Sequence, residues 1–422
     1  KDINNYRPIS LISHTSKLFS RVLLNRIERN LDDNQGREQA GFRKGFSTTD
    51  HLHVISQLVE KCSEFSIPLC LTFVDYEKAF DSVEHLSVID AIGNHGVATE
   101  YTELLTTIYN SATSKIRLDR DSKDFRIERD VRQGDTISPK LFNAALEHVF
   151  RQLNWEHVGV VVNGERINHL RFADDIVLIS SNAAEMEQML NQLNNKSLNI
   201  GLRMNMKKTK VMFNEYCLEH PLHVEQELVE HVQEYVYLGQ LVTMQSDKTA
   251  EIKRRIATGW GAFSKYRDIL QSKIPMCLKR KVYHQCIQAV MTYGCQTWAL
   301  TKRMRDRLCT TQRSMERAML GISRLDKQTN MWIRQKTGLQ DIIVRIKQLK
   351  WQWAGHIART TDNRWTRNIT EWIPLEGKRK RARPKTRWED EIVQVEGVTW
   401  ARVAQDRKRW KYHEEAFIQQ WI

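Results

Sequence analysis

The sequence predicts an α+β fold with a mainly antiparallel sheet over roughly its first 249 residues, followed by a mostly helical, basic region. Three observations predict it. Short apolar runs of strand length are interleaved with helical periodicity up to that point, and almost only helical periodicity follows it. Only 7 prolines and 18 glycines occur among 422 residues, 41% of them hydrophobic, which excludes collagen-like and low-complexity chains. Charge is divided unevenly: residues 1–250 carry 28 Lys and Arg against 35 Asp and Glu, net −7, and residues 251–422 carry 37 against 16, net +21. The second part also holds 11 of the 12 tryptophans, and basic plus aromatic composition points to a polyanionic partner. At about 150 residues per domain, two or three domains are expected.

The elements follow in order. Thr15 or Ser16 can cap a helix whose apolar positions Phe19, Val22, Leu23 and Ile27 recur at the helical period. Residues 69–75, LCLTFVD, are too short for a helix and end in a carboxylate before a new helical pattern near Asp81, which gives strand, turn and helix. Asp81 reads as the cap of that helix, ahead of Val83, Leu86 and Ile89. Ser138-Pro139 starts another helix with Leu141, Phe142, Ala145, Leu146, Val149 and Phe150 on one face. Leu170–Ser180 reads as a hairpin around adjacent aspartates, followed by a helix with Met186, Met189, Leu190 and Leu193 that Gly201 can end. Strands are expected at 210–214 and at 235–243, the latter bent at Gly239.

Beyond residue 249, Ile252, Ile256, Trp260 and Phe263 form a helical stripe beside Lys253, Arg254 and Arg255, and Asp341 caps a helix with Ile342, Ile346, Leu349 and Trp353. Residues 377–388, GKRKRARPKTRW, have seven basic residues and no apolar period, so they read as an exposed arm. The seven cysteines include no C-x-x-C, and the spacing of Cys277, His284, Cys286 and Cys295 is unlike a zinc knuckle, so they are expected in the core as reduced intracellular thiols. The longest uncharged run, Val282–Thr301, is broken by His284, Gln285, Gln288 and Gln296 and reads as a buried amphipathic helix, not a membrane span. Beginning at Lys1, the chain is expected to be part of a longer polypeptide.

Chemistry points to the carboxylates. Asp174 and Asp175 place like charges side by side in a hairpin turn, where a divalent cation is the natural compensator, although Asp-Asp also occurs in ordinary turns. Asp75, at the end of a separate strand, completes an oxygen-rich set suited to Mg²⁺ if the two elements are neighbours in one sheet.

Seven blocks occur in order between residues 4 and 239: NNYRPISL, QAGFRKGFSTTDHL, FVDYEKAFDSV, RQGDTISPKLFNAAL, FADDIVLIS, GLRMNMKKTKVMF and EYVYLG. Together they resemble the reverse transcriptase domain of non-LTR, LINE-like retrotransposons. WQWAGHIAR and GKRKRARPKTRWEDEI resemble segments of RTE-type elements. The resemblance implies a right-hand polymerase with fingers at 1–70, palm at 71–245 and a helical thumb at 246–300. A basic, Trp-rich nucleic-acid-binding region at 301–422 follows.

It further implies Asp75, Asp174 and Asp175 as ligands of two Mg²⁺ ions, with Mn²⁺ as substitute, and the Tyr76 carbonyl as a main-chain ligand. Phe80 matches the aromatic sugar gate that crowds a ribose 2′-hydroxyl. Gln133 and Gly134 match the block against the incoming dNTP and template. Arg43 is implied as a triphosphate contact, with Arg7 a weaker one, and Lys208 as a proton donor to pyrophosphate. Tyr235, Tyr237 and Gly239 match the strand pair that holds a primer end. Lys253, Arg254 and Arg255 would face the backbone of an RNA–DNA hybrid. Lys378, Arg379, Lys380, Arg381, Arg383, Lys385 and Arg387 would bind template RNA, target DNA or an import receptor.

The expected activity is RNA-directed DNA synthesis from a primer 3′-hydroxyl by two-metal phosphoryl transfer. An upstream endonuclease region of the same polyprotein is implied, with nuclear localisation during target-primed synthesis and no membrane partner. The alternatives are a non-catalytic, nucleic-acid-binding remnant and an RNA-dependent RNA polymerase; intact acids argue against the first and Phe80 against the second.

Overall fold

The computed structural model describes residues 10–116, 121–245, 247–379 and 385–419; Arg7, Lys380, Arg381 and Arg383 lie outside the described residues. The chain divides into two compact units, Lys1–Asp50 with Ile67–Gln233, and His51–Ser66 with Glu234–Ile422. This division cuts the chain at other points than the fingers, palm and thumb boundaries expected at 70, 245 and 300.

The first unit is built on a five-stranded sheet. Its strands are β1 (Cys70–Val74), β2 (His169–Phe172), β3 (Asp175–Ser180), β4 (Lys210–Phe213) and β5 (Glu230–His231), in the order β5-β4-β1-β3-β2. All pairings are antiparallel except β5 with β4. β1 lies between β3 and β4 and is buried at all five positions, which is why its sequence is a continuous apolar run instead of an alternating one. Its register against β3 runs from Cys70 opposite Ser180 to Val74 opposite Ile176.

Helices cover this sheet. Ser138–Arg151 buries eleven residues and carries Pro139 in its first turn, where the missing N–H is not needed. Ala183–Leu198 is capped by Asn182, whose side chain accepts from the Ala184 N–H, and buries Met186, Met189, Leu190 and Leu193 as the period predicts. The first helix, His14–Asp33, is capped by Ser13, not by Thr15 or Ser16. It buries Leu23, Leu24, Ile27 and Leu31, whereas Phe19 and Val22 are exposed. The i, i+4, i+8 row from Leu23 is the inward one; Leu23 and Ile27 lie on it as expected, Phe19 lies on it a turn too near the helix start to be covered, and Val22 lies beside it. The helix expected to start at Asp81 is split: a single turn, Ala79–Ser82, stops at the extended Val83, and His85–Asn94 follows. Asp81 is therefore inside the short turn and caps nothing.

In the second unit, β6 (Glu234–Tyr237) and β7 (Gln240–Thr243) form a hairpin and helices make up nearly all the rest. Thr301, Thr329 and Asp341 cap three of those helices with their side chains, and Gly321 and Gly338 end two of them in the left-handed region. The run from Val282 is less regular than one helix: a π turn at Tyr283–Gln288 leads to Ala289–Met291, and Gly294 at φ 71° turns the chain into a short 3₁₀ segment.

Eight tryptophans beyond residue 250 are buried, so much of the aromatic richness there serves packing. Trp351 and Trp410 stack at 3.8 Å and 5°, and each indole N–H donates to the other's backbone carbonyl at 2.9 and 3.0 Å. All seven cysteines are free; Cys295 is buried, but Cys277 is exposed, contrary to a core position. Among the described residues no helix is long and apolar enough to cross a membrane. Trp351→Ala removes the centre of this cluster and is expected to lower the free energy of unfolding by about 3–5 kcal/mol, read by urea denaturation.

Candidate active site

One step beyond the paired Val74 and Ile176, the chain reaches Asp75 on one strand and the Asp174-Asp175 turn on the other. Asp75 and Asp174 line one cavity of 620 Å³ in the first unit, with Tyr76, Phe80, Gln133, Gly134 and Lys208. Segments separated by up to 133 residues thus meet at the end of two neighbouring strands.

Asp175 does not share that lining. It is the exposed first residue of β3, and Asp174 precedes it in the turn. Among the described residues no three carboxylate, imidazole or thiolate groups stand close enough to hold a metal ion. Of the expected three carboxylates, Asp175 stands next to Asp174 at the start of β3, and the two that line the cavity are Asp75 and Asp174.

Those two still fit a hard divalent cation. Mg²⁺ is commonly held by one or two carboxylates plus substrate phosphates. Asp75 Oδ2 is buried without a geometrically sound hydrogen bond, and its ion-pair partner is Lys208 Nζ at 3.2 Å. The contact satisfies charge but not direction, leaving a lone pair for a stronger ligand.

The hairpin turn is fixed from outside. Ala173 sits at φ 56°, and its N–H donates to Gln39 Oε1 at 3.1 Å, which also accepts from the Gly41 N–H at 2.8 Å. Residues 38–40 run alongside β2, with Arg171 N–H donating to Glu38 O and Ala40 N–H to Arg171 O. A Cβ on Gly41 would lie 2.4 Å from the Ala173 nitrogen, so only glycine allows this approach. Asn143 Nδ2 donates to Gly41 O at 2.7 Å, tying the Ser138 helix to the same point. Beneath it, Arg171 and Glu147 form a buried ion pair at 2.7 Å. Burial pushes the Glu147 carboxyl up, but the Arg171 guanidinium more than offsets it and holds it below the usual range.

The opposite wall carries Phe80. Its ring stacks on Phe142 at 4.4 Å and meets Phe42 edge-on at 6.3 Å, so two other aromatic rings set its position. Gly134 is at φ 110°, and Gln133 O accepts from the Ser10 N–H. The Tyr76 ring is buried with its hydroxyl 2.6 Å from Ser197 Oγ, while the bonds flanking Tyr76 use Asp75 O and Glu77 N–H and leave its own carbonyl out of that pairing.

Arg43 stands outside the lining. Its guanidinium donates to the carbonyls of Gly36, Gln39 and Asp32 and lies over the Phe46 ring, so it braces the loop that holds the hairpin. The cations that do line the cavity beside Lys208 are Lys78 and Arg132, which the sequence reading missed. Their signal was adjacency: Lys78 lies three residues after Asp75, and Arg132 directly precedes Gln133.

The second unit changes the reading of its basic residues. Leu238 and Gly239 both have positive φ and make the tight turn between β6 and β7. Gly239 O accepts from Arg254 Nη2 at 2.5 Å and from Arg255 Nη2. Both guanidinium groups also pair with Glu251, a buried carboxylate that accepts from the Leu241 N–H. Of the expected phosphate-facing trio only Lys253 is exposed. Tyr237 is buried with its hydroxyl 3.4 Å from His51 Nδ1, and Tyr235 is half-buried. In the basic arm, Arg379 and Arg387 both pair with Glu64, whereas Lys378 and Lys385 are exposed.

Residues 1–242 match the family described as reverse transcriptase (RNA-dependent DNA polymerase), and the chain belongs to that family, in its non-LTR retrotransposon branch. An uncharacterised transposon-derived protein of Caenorhabditis elegans is 32% identical over 268 residues, 59% of this chain and 95% of that one. The Pol polyprotein of the type-1 retrotransposable element R2 of Nasonia vitripennis is 30% identical, over 44% of this chain and 18% of its own length. The chain thus spans less than a fifth of that polyprotein. A telomerase structure from Candida albicans, solved with an RNA fragment, superposes at a TM-score of 0.46 with 12% identity, over 76% of this chain and 57% of that one. Gly41→Ala is expected to destabilise the first unit by about 1–3 kcal/mol, measured by chemical denaturation, because the hairpin turn must shift to admit the methyl group.

Proposed function

We propose that the chain is an RNA-directed DNA polymerase that extends a primer 3′-hydroxyl with dNTPs on an RNA template. The reading is carried by one observation: Asp75 and Asp174 share a cavity with an aromatic wall and three cations. Asp75 and Asp174 would hold the divalent cations, expected as a pair of Mg²⁺ ions. When bound, such ions supply Lewis acidity at the attacking and leaving oxygens of an in-line displacement. Fingers, palm and thumb at the boundaries given above, and template RNA, primer DNA and their hybrid as partners, belong to the same proposal.

The chain's own residues do the rest. Lys78 and Arg132 face the cavity and are suited to triphosphate oxygens. Lys208, ion-paired with Asp75 before substrate arrives, is suited to give a proton to departing pyrophosphate. Gln133 and Gly134 form a wall against which a nucleotide can lie with close backbone approach. The Phe80 ring, held by Phe142 and Phe42, would crowd a 2′-hydroxyl and so select deoxyribose.

Two assays test this. Primer extension with dNTPs and Mg²⁺ on an RNA template should be present in the wild type and fall by more than about a thousandfold in Asp174→Ala and Asp75→Ala. Activity surviving both changes would remove these carboxylates from the mechanism. A folded wild type that binds an RNA–DNA hybrid without extending it would favour the non-catalytic alternative. Phe80→Ala should raise ribonucleotide incorporation relative to deoxyribonucleotide by roughly ten- to hundredfold; no rise removes the gate.

A further inference from the structure

We propose that Asp130, which does not line the cavity, is a positioning residue for nucleotide selectivity, fixing where the Phe80 ring stands. The inference rests on the gate reading of Phe80. Asp130 has φ 123°, a conformation that residues with a Cβ rarely adopt and that persists only where the surroundings over-determine it. Here they do. Asp130 N–H donates to Val83 O at 3.1 Å, and Val131 N–H donates to Phe80 O at 2.9 Å. His85 Nε2 lies 3.1 Å from Asp130 O, and because a carbonyl only accepts, that nitrogen carries the proton. The unusual dihedral thus turns two successive N–H groups onto the short helix Ala79–Ser82 and its exit, which carry the gate. Two residues further on, the same segment becomes the Gln133-Gly134 wall, so one strained peptide sets the position of both sides of the nucleotide cavity.

The carboxyl has a second consequence. Asp130 Oδ1 is buried with no hydrogen bond. Burial, and then the like charge of Asp81, push this carboxyl up to about 7, with Arg132 opposing. Asp81 is the residue next to Phe80 and itself lines the cavity. With one proton on the pair the two carboxyls tolerate each other; with none they repel, and Asp81 stands on the turn that bears Phe80. Among the other groups facing the site, burial pushes the His85 imidazole down and the Tyr109 hydroxyl up, and Arg129 pairs with Glu84.

The sign follows. A carboxyl whose native value is raised favours the fold at low pH, and its contribution is lost as pH rises from the ordinary carboxylate range through about 7. The protonated fraction falls about tenfold between pH 6 and pH 8, and the fraction with a well-placed gate falls with it.

The experiment compares wild type, Asp130→Asn and Asp130→Gly in primer extension on an RNA template with dNTPs and rNTPs at pH 6 and 8. Wild-type discrimination against rNTPs is expected to drop by on the order of tenfold from pH 6 to 8. Asp130→Asn, neutral at both values and tolerant of the backbone conformation, should show no such drop. Asp130→Gly, which relaxes the backbone, should discriminate less at both. Wild-type discrimination that is equal at the two pH values, or an equal drop in Asp130→Asn, overturns the inference while leaving the gate untouched; Phe80→Ala tests the gate by itself. Hydrogen exchange over residues 79–84 reads the same clamp without turnover. Opening beyond the intrinsic pH effect should occur at pH 8 in the wild type and not in Asp130→Asn, and identical protection in the two would refute the proposal even if neither extends a primer.

Discussion

The pairing of β1 with β3 is the constraint on which the rest of the first unit depends. It brings the end of one buried strand beside the turn of a hairpin about a hundred residues away, and thereby sets Asp75 and Asp174 into one hollow. Two carboxylates so placed repel each other, and isolated strand ends would splay. The opposing force comes from burial of β1 on both faces and from the Gln39 amide, which holds the turn by two backbone N–H groups at once. A small part of the chain around Gly41 is therefore as important to the acidic hollow as the acids themselves.

In the second unit, several basic residues and most of the tryptophans have internal partners. Glu251 gathers Arg254 and Arg255 onto the carbonyl of Gly239, and Glu391 gathers Lys347 and Lys350. Pairing of this kind costs desolvation and returns most of its value as geometry, because a buried cation without its acid would be strongly destabilising. The net surplus of +21 already counts these acids, so pairing changes which cations stand free for a polyanion and not how large the surplus is. Lys253, Lys378 and Lys385 are among the exposed cations that keep it.

Much of the fold and part of the site were legible in the sequence, for identifiable reasons. β1, the hairpin, the Ser138 helix and the Ala183 helix each carry a local signal, an apolar run, a cap or a proline, that agrees with the tertiary result. The Asp75 and Asp174 meeting was readable because both end apolar strands. What failed had no local signal. Phe19 lies on the row of Leu23 but one turn nearer the helix start, Val22 lies one residue off that row, and both are exposed. Arg254 and Arg255 look like a solvated stripe until Glu251 is seen to be buried. Arg43 was assigned by block alone, and only the carbonyls of Asp32, Gly36 and Gln39 reveal its bracing position. The positive φ of Asp130 goes with backbone hydrogen bonds from residues 130 and 131 to Val83 and Phe80, which no local pattern announces.

The contact between Lys208 and Asp75 bears on how the hollow behaves when nothing is bound. The ammonium group of Lys208 is a built-in counter-ion for this carboxylate. Under the proposed function a doubly charged ion entering at Asp75 would therefore have to compete with that side chain. Its apparent affinity would then fall short of the intrinsic strength of the oxygen ligands by whatever it takes to dislodge the lysine.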